Sequence, residues 1–209
     1  MGLAVTVLIV FILLCISEVW WRQHPVHTEL SRKFIHITVG SFVAFWPFFL
    51  TWHEIEFMSA AFFVVVSISK QLKILKAIHS VQRPTWGELF FAIAVGVTAF
   101  ITHNKWIYMT ALLQMSLADG LAAVIGIRYG KKNAYRVFGQ AKSLAGTTTF
   151  FVISLATLLI DVRLGVIHQN VVLLFSLALS ASLIENLGAY GLDNIFVPLL
   201  IACVLRFIG

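Results

Sequence analysis

Apolar residues fall along this chain in eight blocks divided by short polar connections, and most blocks approach the length of a helix that crosses a bilayer. A span needs about 20 predominantly apolar residues. The blocks are 3–21, 34–51, 55–69, Gly87–Thr102, 106–127, 144–160, Val171–Leu187 and 195–208. The third and fourth are short, which tilt or partial re-entry would accommodate. The pattern predicts an all-α, polytopic membrane helix bundle of about seven to eight transmembrane helices, with residues 1–209 forming a single integral-membrane domain. Trp20, Trp21, Trp52, Trp86 and Trp106 stand near block ends, where an aromatic belt would place them. The first block lacks a basic leader and is longer than a signal-peptide core, so it reads as a retained helix. Met1-Gly2 with Thr6 formally fits a myristoylation pattern, but Gly2 opens a span, and bulky residues before Cys15 argue against a lipoprotein site.

Composition sharpens this picture by exclusion. Hydrophobic residues make up 60% of the chain and charged ones 11%, with a mean hydropathy of +0.94. A soluble domain carries about 25% charged residues. The two cysteines, Cys15 and Cys203, lie in separate apolar blocks and suggest neither a disulfide nor a metal site. The net charge of +6 is mostly a topology signal and needs no nucleic-acid partner. Alternate connections hold Arg22, Arg32 and Lys33, then Lys70, Lys73, Lys76 and Arg83, then Arg128, Lys131, Lys132, Arg136 and Lys142. Only Lys105, Arg163 and Arg206 fall on the other side. The positive-inside rule then puts both termini outside and the basic connections in the cytoplasm. Residues 70–79, with basic residues every third position, fit an interfacial amphipathic helix or a plain solvated face equally well.

Against this background Asp119 stands out, because it is an acid within the apolar block 106–127. An ionisable group inside a span costs roughly 2.5–3.5 kcal/mol on insertion scales and usually faces a polar cavity. Ser116, Asp119, Ala123 and Gly126 are spaced to share one helix face, where small residues permit close packing. Packing explains the glycines but not the acid. Three more polar clusters map to the same, cytoplasmic side. Glu29-Leu-Ser-Arg32-Lys33-Phe-Ile-His36 opens the second block, with cations able to grip phosphate or simply to anchor the span. Gly126-Ile-Arg128-Tyr-Gly130-Lys131 leads on to Lys142-Ser143-Leu-Ala-Gly146-Thr147, where a lysine and free N–H groups at a helix start form a natural anion site. This is no Walker A loop, since the glycine-lysine spacing is absent and no strand is expected to lead in. Glu185-Asn186 and Asp193-Asn194, with Pro198 beyond, flank a turn holding Gly188 and Gly191. Their hard oxygens suit Mg²⁺, although Asp193 would also serve as a helix cap. Acids 119, 185 and 193 and cations 32, 33 and 142 are therefore expected around one cavity. The remaining histidines (His24, His27, His53, His79, His103 and His168) have no metal-ligand spacing.

Taken together and in this order, these pieces resemble the CTP-dependent lipid-alcohol kinases. That family comprises the dolichol, phytol/farnesol and yeast-type diacylglycerol kinases and is related to the phosphatidate cytidylyltransferases. The matching residues are Arg32-Lys33-x-x-His36, Ser116-Leu-Ala-Asp119-Gly120 through Gly126, Gly130-Lys131, Lys142-Ser143-Leu-Ala-Gly146-Thr147, Glu185, and Asp193-Asn194 with Pro198. They run from about residue 28 to the C-terminus. The turn after Lys142-Ser143 often carries an acid in the family, whereas Leu144-Ala145 stand here. The short chain fits the compact prokaryotic and plastid-type members. The resemblance implies transfer of the γ-phosphoryl group of CTP to the hydroxyl of a lipid alcohol, with Mg²⁺, at the cytoplasmic membrane face. It implies nucleotide binding by Arg32, Lys33, Gly126, Gly130, Lys131, Lys142, Ser143, Gly146 and Thr147, and metal binding by Glu185, Asp193 and Asn194. Asp119 is either a third ligand or the base that orients the hydroxyl, Lys142 is catalytic through the phosphates, and His36 helps to position one. A phosphatidate cytidylyltransferase using the same nucleotide, and a small transporter with a buried acid, remain the alternatives.

Overall fold

The computed structural model describes residues 2–23, 29–72, 85–167 and 170–208. Within them each apolar block becomes a helix: α1 (Leu3–Gln23), α2 (Glu29–Ala44), α3 (Trp52–Leu72), α4 (Gly87–Thr102), α5 (Lys105–Leu113), α6 (Asp119–Tyr129), α7 (Leu144–Arg163), α8 (Val171–Leu187) and α9 (Asp193–Ile208). Helices α5 and α6 are one rod joined by a π-turn at Gln114–Ala118. Local chemistry explains several boundaries. Asn104 and Asn170 cap α5 and α8, the first accepting from the N–H groups of Trp106 and Ile107 and the second from that of Leu173. His103 ends α4 in the left-handed conformation, at φ 42°.

The core runs between α4, α5, the π-turn, α7, α8 and α9, with Tyr108, Leu112, Phe150, Leu174 and Ile201 fully buried. The outside is apolar too: Phe11, Phe57, Val64, Phe100, Val152 and Val172 are exposed. An outside with so many exposed apolar side chains suits lipid, and together with the long apolar helices it suggests a membrane protein. Three helices are long and apolar enough to cross a bilayer, Trp52–Leu72, Lys105–Asn133 and Leu144–Arg163. Shorter apolar helices are Leu3–Val19, Gly87–Thr102 and Val171–Leu187. The expected seven to eight full spans are thus matched in helices but not all in length. Helix α2 has only 16 residues and carries Arg32 and Lys33 near its start, and α4 and α8 have 16 and 17.

One element departs from the all-α expectation. Residues Ala134–Val137 (β1) and Gln140–Ser143 (β2) form an antiparallel hairpin between α6 and α7, with Tyr135 opposite Lys142 and Val137 opposite Gln140. A short strand therefore does lead into α7, contrary to the sequence reading. The two-residue turn, Phe138 at φ 46° and Gly139 at φ 78°, needs two left-handed residues, which normally selects Asn-Gly. Of the proposed interfacial stretch 70–79, only the start is described. Lys70 Nζ donates to the Thr85 carbonyl (2.9 Å) and lies 3.9 Å from the centre of the Trp86 ring. Lys73, Lys76, His79 and Arg83 lie outside the described residues, as do His24, His27 and His168.

Candidate active site at one end of the bundle

The starts of α2, α4, α7 and α9, the ends of α6 and α8, and the hairpin meet at one end of the bundle around a cavity of about 900 Å³. Of the residues singled out above, Arg32, Lys33, Asp119, Gly126, Gly130, Lys131, Lys142, Ser143, Gly146, Thr147, Glu185, Asp193 and Asn194 all line it. His36 does not; it lines a smaller cavity next door.

Asp119 reaches the cavity because of the π-turn before it. The extra residue in that turn breaks the expected common face. Asp119, Ala123 and Gly126 face the cavity, whereas Ser116 donates to the Leu112 carbonyl and packs on Gly40 of α2. Lys33 of α2 forms a buried ion pair with Asp119; the two residues are 6% and 5% exposed. His36 sits one turn along, its Nε2 3.0 Å from the Met115 carbonyl and 3.6 Å from Asp119 Oδ2. The carbonyl needs a donor, so Nε2 carries the proton. His36 therefore backs Asp119 from the far side of the main cavity.

A second pair completes the charge array. Lys142 Nζ, at the end of β2, donates to Glu185 Oε1 (2.5 Å) and to the Glu185 carbonyl (2.8 Å). Burial alone would lower the Lys142 pKa, but the carboxylates of Glu185, Asp193 and Asp119 outweigh it and hold the ammonium above the usual lysine value. Two of the three lysines expected to bind phosphate, Lys33 and Lys142, are thus each held by an acid. One oxygen from each of Asp119, Glu185 and Asp193 lies within 4.8 Å of the others. Three hard donors in that compass fit a divalent cation. Asn194 has a different contact, its Nδ2 donating to the Gly87 carbonyl (2.9 Å) and tying α9 to α4.

Glycines let the elements come this close. A Cβ at Gly146 would lie 3.0 Å from the Ala122 carbonyl and 3.2 Å from Ser143 Oγ. Ser143, which caps α7 by accepting from Gly146 N (3.1 Å), is therefore wedged between α6 and α7. Gly191 combines φ +92° with a backbone approach to Gly87, whose Cα a Cβ would meet at 2.5 Å. Sequence reasoning did not find Thr85, Gly87, Phe138 or Tyr190, which also line the cavity. Nor did it find Tyr135, whose hydroxyl meets Thr147 Oγ1 (2.5 Å) and donates to Asn186 Oδ1 (2.6 Å), while Asn186 Nδ2 donates to Thr147 (2.8 Å). This closed ring clamps the hairpin onto α7 and α8.

The chain is 31% identical over 206 residues to a phytol kinase from Synechocystis sp., covering 95% of this chain and 86% of that protein. It is 28% identical to a probable phytol kinase 2, chloroplastic, from Glycine max, over 94% of this chain and 72% of that one. With a probable phytol kinase, chloroplastic, from Zea mays the identity is 26%, over 94% and 73%. No protein-family model and no solved structure matches it significantly. These relatives are one cyanobacterial and two chloroplast proteins. A likeness this extensive shows that the chain belongs to the phytol kinase family of lipid-alcohol kinases and is a kinase enzyme acting on an alcohol.

Proposed function

We propose that this protein transfers the γ-phosphoryl group of CTP to the hydroxyl of a membrane lipid alcohol, phytol first among the candidates, at the cytoplasmic face with both termini outside. The observation that carries the reading is the gathering of Asp119, Glu185 and Asp193 with Lys33 and Lys142 around one cavity at one end of an apolar bundle. One substrate is soluble and the other lies in the bilayer, so the reaction belongs where a polar cavity opens at the end of lipid-facing helices.

Phosphoryl transfer demands mainly positioning and neutralisation of charge. The bond between the γ-phosphorus and its bridging oxygen to the β-phosphate breaks, a bond to the alcohol oxygen forms, and CDP leaves. In this reading Lys33, Lys142 and Arg32 balance the phosphate charge, and the N–H groups at the start of α7 near Ser143–Thr147 assist. Asp119 orients the alcohol and receives its proton, or contributes a third metal ligand. Mg²⁺ would be held by Glu185 and Asp193 with Asp119, and when bound it neutralises the phosphate oxygens. His36 fixes Asp119 from behind instead of touching a phosphate, which revises the role expected for it.

The test uses purified protein in detergent with Mg²⁺ and phytol, and CTP labelled at either the α- or the γ-phosphorus. Label from γ-labelled CTP alone, recovered in a lipid monophosphate, is the expected result. Label from α-labelled CTP, in a CDP-lipid made from phosphatidate, would identify a cytidylyltransferase instead.

A further inference from the structure

We propose that the small cavity beside His36 receives the hydroxyl end of the acceptor alcohol, with Glu88 as the residue that holds the hydroxyl. The inference rests on the kinase reading above and names the binding place of its lipid substrate. The cavity measures about 60 Å³ and lies between α1, α2, α3, α4 and α9. It has room for a terminal hydroxymethyl group and the carbons next to it, since about 10–15 Å³ of such volume holds a water. It has no room for a whole chain.

Its walls divide by polarity as an amphiphile would require. Leu14, Ile35, Val39, Phe62 and Phe91 form the apolar side, and Arg32, His36, Glu88 and Asn194 the polar side. Arg32, Gly87 and Asn194 also line the large cavity, so the two spaces adjoin. His36 connects them chemically, because it lines the small cavity while its Nε2 lies 3.6 Å from Asp119. On the other side Leu14 belongs to α1, whose Phe11, Ile12 and Ile16 are exposed on the outside of the bundle and which packs chiefly against α2. A carbon chain attached to the hydroxyl would leave in that direction.

Glu88 supplies the independent observation. It stands in the first turn of α4, and its Oε1 is buried with no hydrogen-bond partner among the described residues. An acid in a first helical turn is explained by the helix dipole when it is exposed, but not when an oxygen is buried unpaired, which is costly. An alcohol O–H is the donor such an oxygen lacks. With Glu88 orienting the hydroxyl, Asp119, which lines the large cavity and not this one, takes the second of its two roles above, that of third metal ligand beside Glu185 and Asp193.

The test compares wild type with Glu88→Ala, Glu88→Gln and Phe62→Trp, measuring equilibrium binding of radiolabelled phytol in detergent alongside the KM for phytol and for CTP. Losing a hydrogen bond to a charged group corresponds to a weakening of about tenfold or more. Glu88→Ala is therefore expected to weaken phytol binding and raise its KM at least about tenfold, with the KM for CTP within about twofold. Glu88→Gln, whose amide oxygen still accepts, should recover most of the affinity. Phe62→Trp should weaken phytol through bulk alone. Unchanged phytol binding in Glu88→Ala and Phe62→Trp, or an effect of Glu88→Ala on CTP equal to that on phytol, would overturn the proposal. A wild type that transfers phosphate to no alcohol sinks the kinase reading, and the binding measurement still decides this one.

Discussion

Asp193→Asn distinguishes a built cation site from an incidental meeting of acids. Oxygens of Asp119, Glu185 and Asp193 lie within 4.8 Å of one another. Coulomb's law at an effective dielectric of about 20 gives about 3.5 kcal/mol of repulsion per pair at that separation. Asp193 faces two such neighbours. Lys33 and Lys142, already paired with Asp119 and Glu185, cancel much of this, and the open cavity screens the remainder. A net relief of about 2 kcal/mol on neutralising Asp193 is a reasonable residue. For a chain of this size that corresponds to a rise in Tm of about 4–8 °C. The assay is thermal unfolding in detergent, with EDTA and with saturating Mg²⁺. Wild type should gain about 3 kcal/mol from Mg²⁺ at 100 times Kd. Asp193→Asn should start higher in EDTA and gain less than half as much. A variant that melts at or below wild type in EDTA and keeps the full Mg²⁺ response would refute the reasoning.

Three further outcomes are expected. Lys33→Met strands the Asp119 carboxylate in a buried site and should cost about 3–5 kcal/mol; Lys33→Met with Asp119→Asn should recover more than half of this in a double-mutant cycle, and additive losses would contradict the pairing. Gly146→Ala forces a Cβ against the Ala122 carbonyl at 3.0 Å and should destabilise by about 1–3 kcal/mol, whereas an unchanged Tm would mean α6 and α7 are not in close contact. The Lys142 pKa is raised above 10.5 by the surrounding carboxylates. Its stabilising contribution is thus fully present below about 10.5 and lost only as pH rises through the higher folded value. The Tm difference between wild type and Lys142→Met should therefore stay constant from about pH 7 to 9.5, and a difference that shrinks below pH 9 counts against the Lys142–Glu185 pair.

The helices were readable because apolar blocks and caps agree. The ends at Gly87, Thr102, Val171 and Leu187 fall where the blocks end, and Asn170 marks the start of α8 chemically. The gathering of charged residues was readable for a simple reason: acids and cations at alternate connections of an up-and-down bundle must share an end. Their pairing was not. Lys33 and Asp119 are 86 residues apart, and which lysine meets which acid is settled by ångströms of helix packing. The π-turn at Gln114–Ala118 is a one-residue insertion in backbone register that hydropathy does not encode, and it moved Ser116 off the cavity face. The hairpin was hidden by strands of four residues each and by a turn that uses Phe138 where asparagine is usual. Nothing in the spacing singles out Asp161. The structure buries it at the other end of α7, where Thr110 donates to it, and one helical turn away Gln114 Nε2 bonds the Ser154 carbonyl (3.1 Å) and Thr157 (2.7 Å). These are inter-helix hydrogen bonds of the kind that hold membrane bundles together.

The most direct test of the central claim is turnover by Asp193→Asn in the labelled-phosphate assay, at saturating CTP, Mg²⁺ and phytol. The account predicts that this variant, although more stable, loses about 10²-fold or more in kcat, as removal of a group that supports transition-state charge does. Turnover within a few fold of wild type, from a protein that melts higher, would mean that phosphoryl transfer does not take place at these three acids.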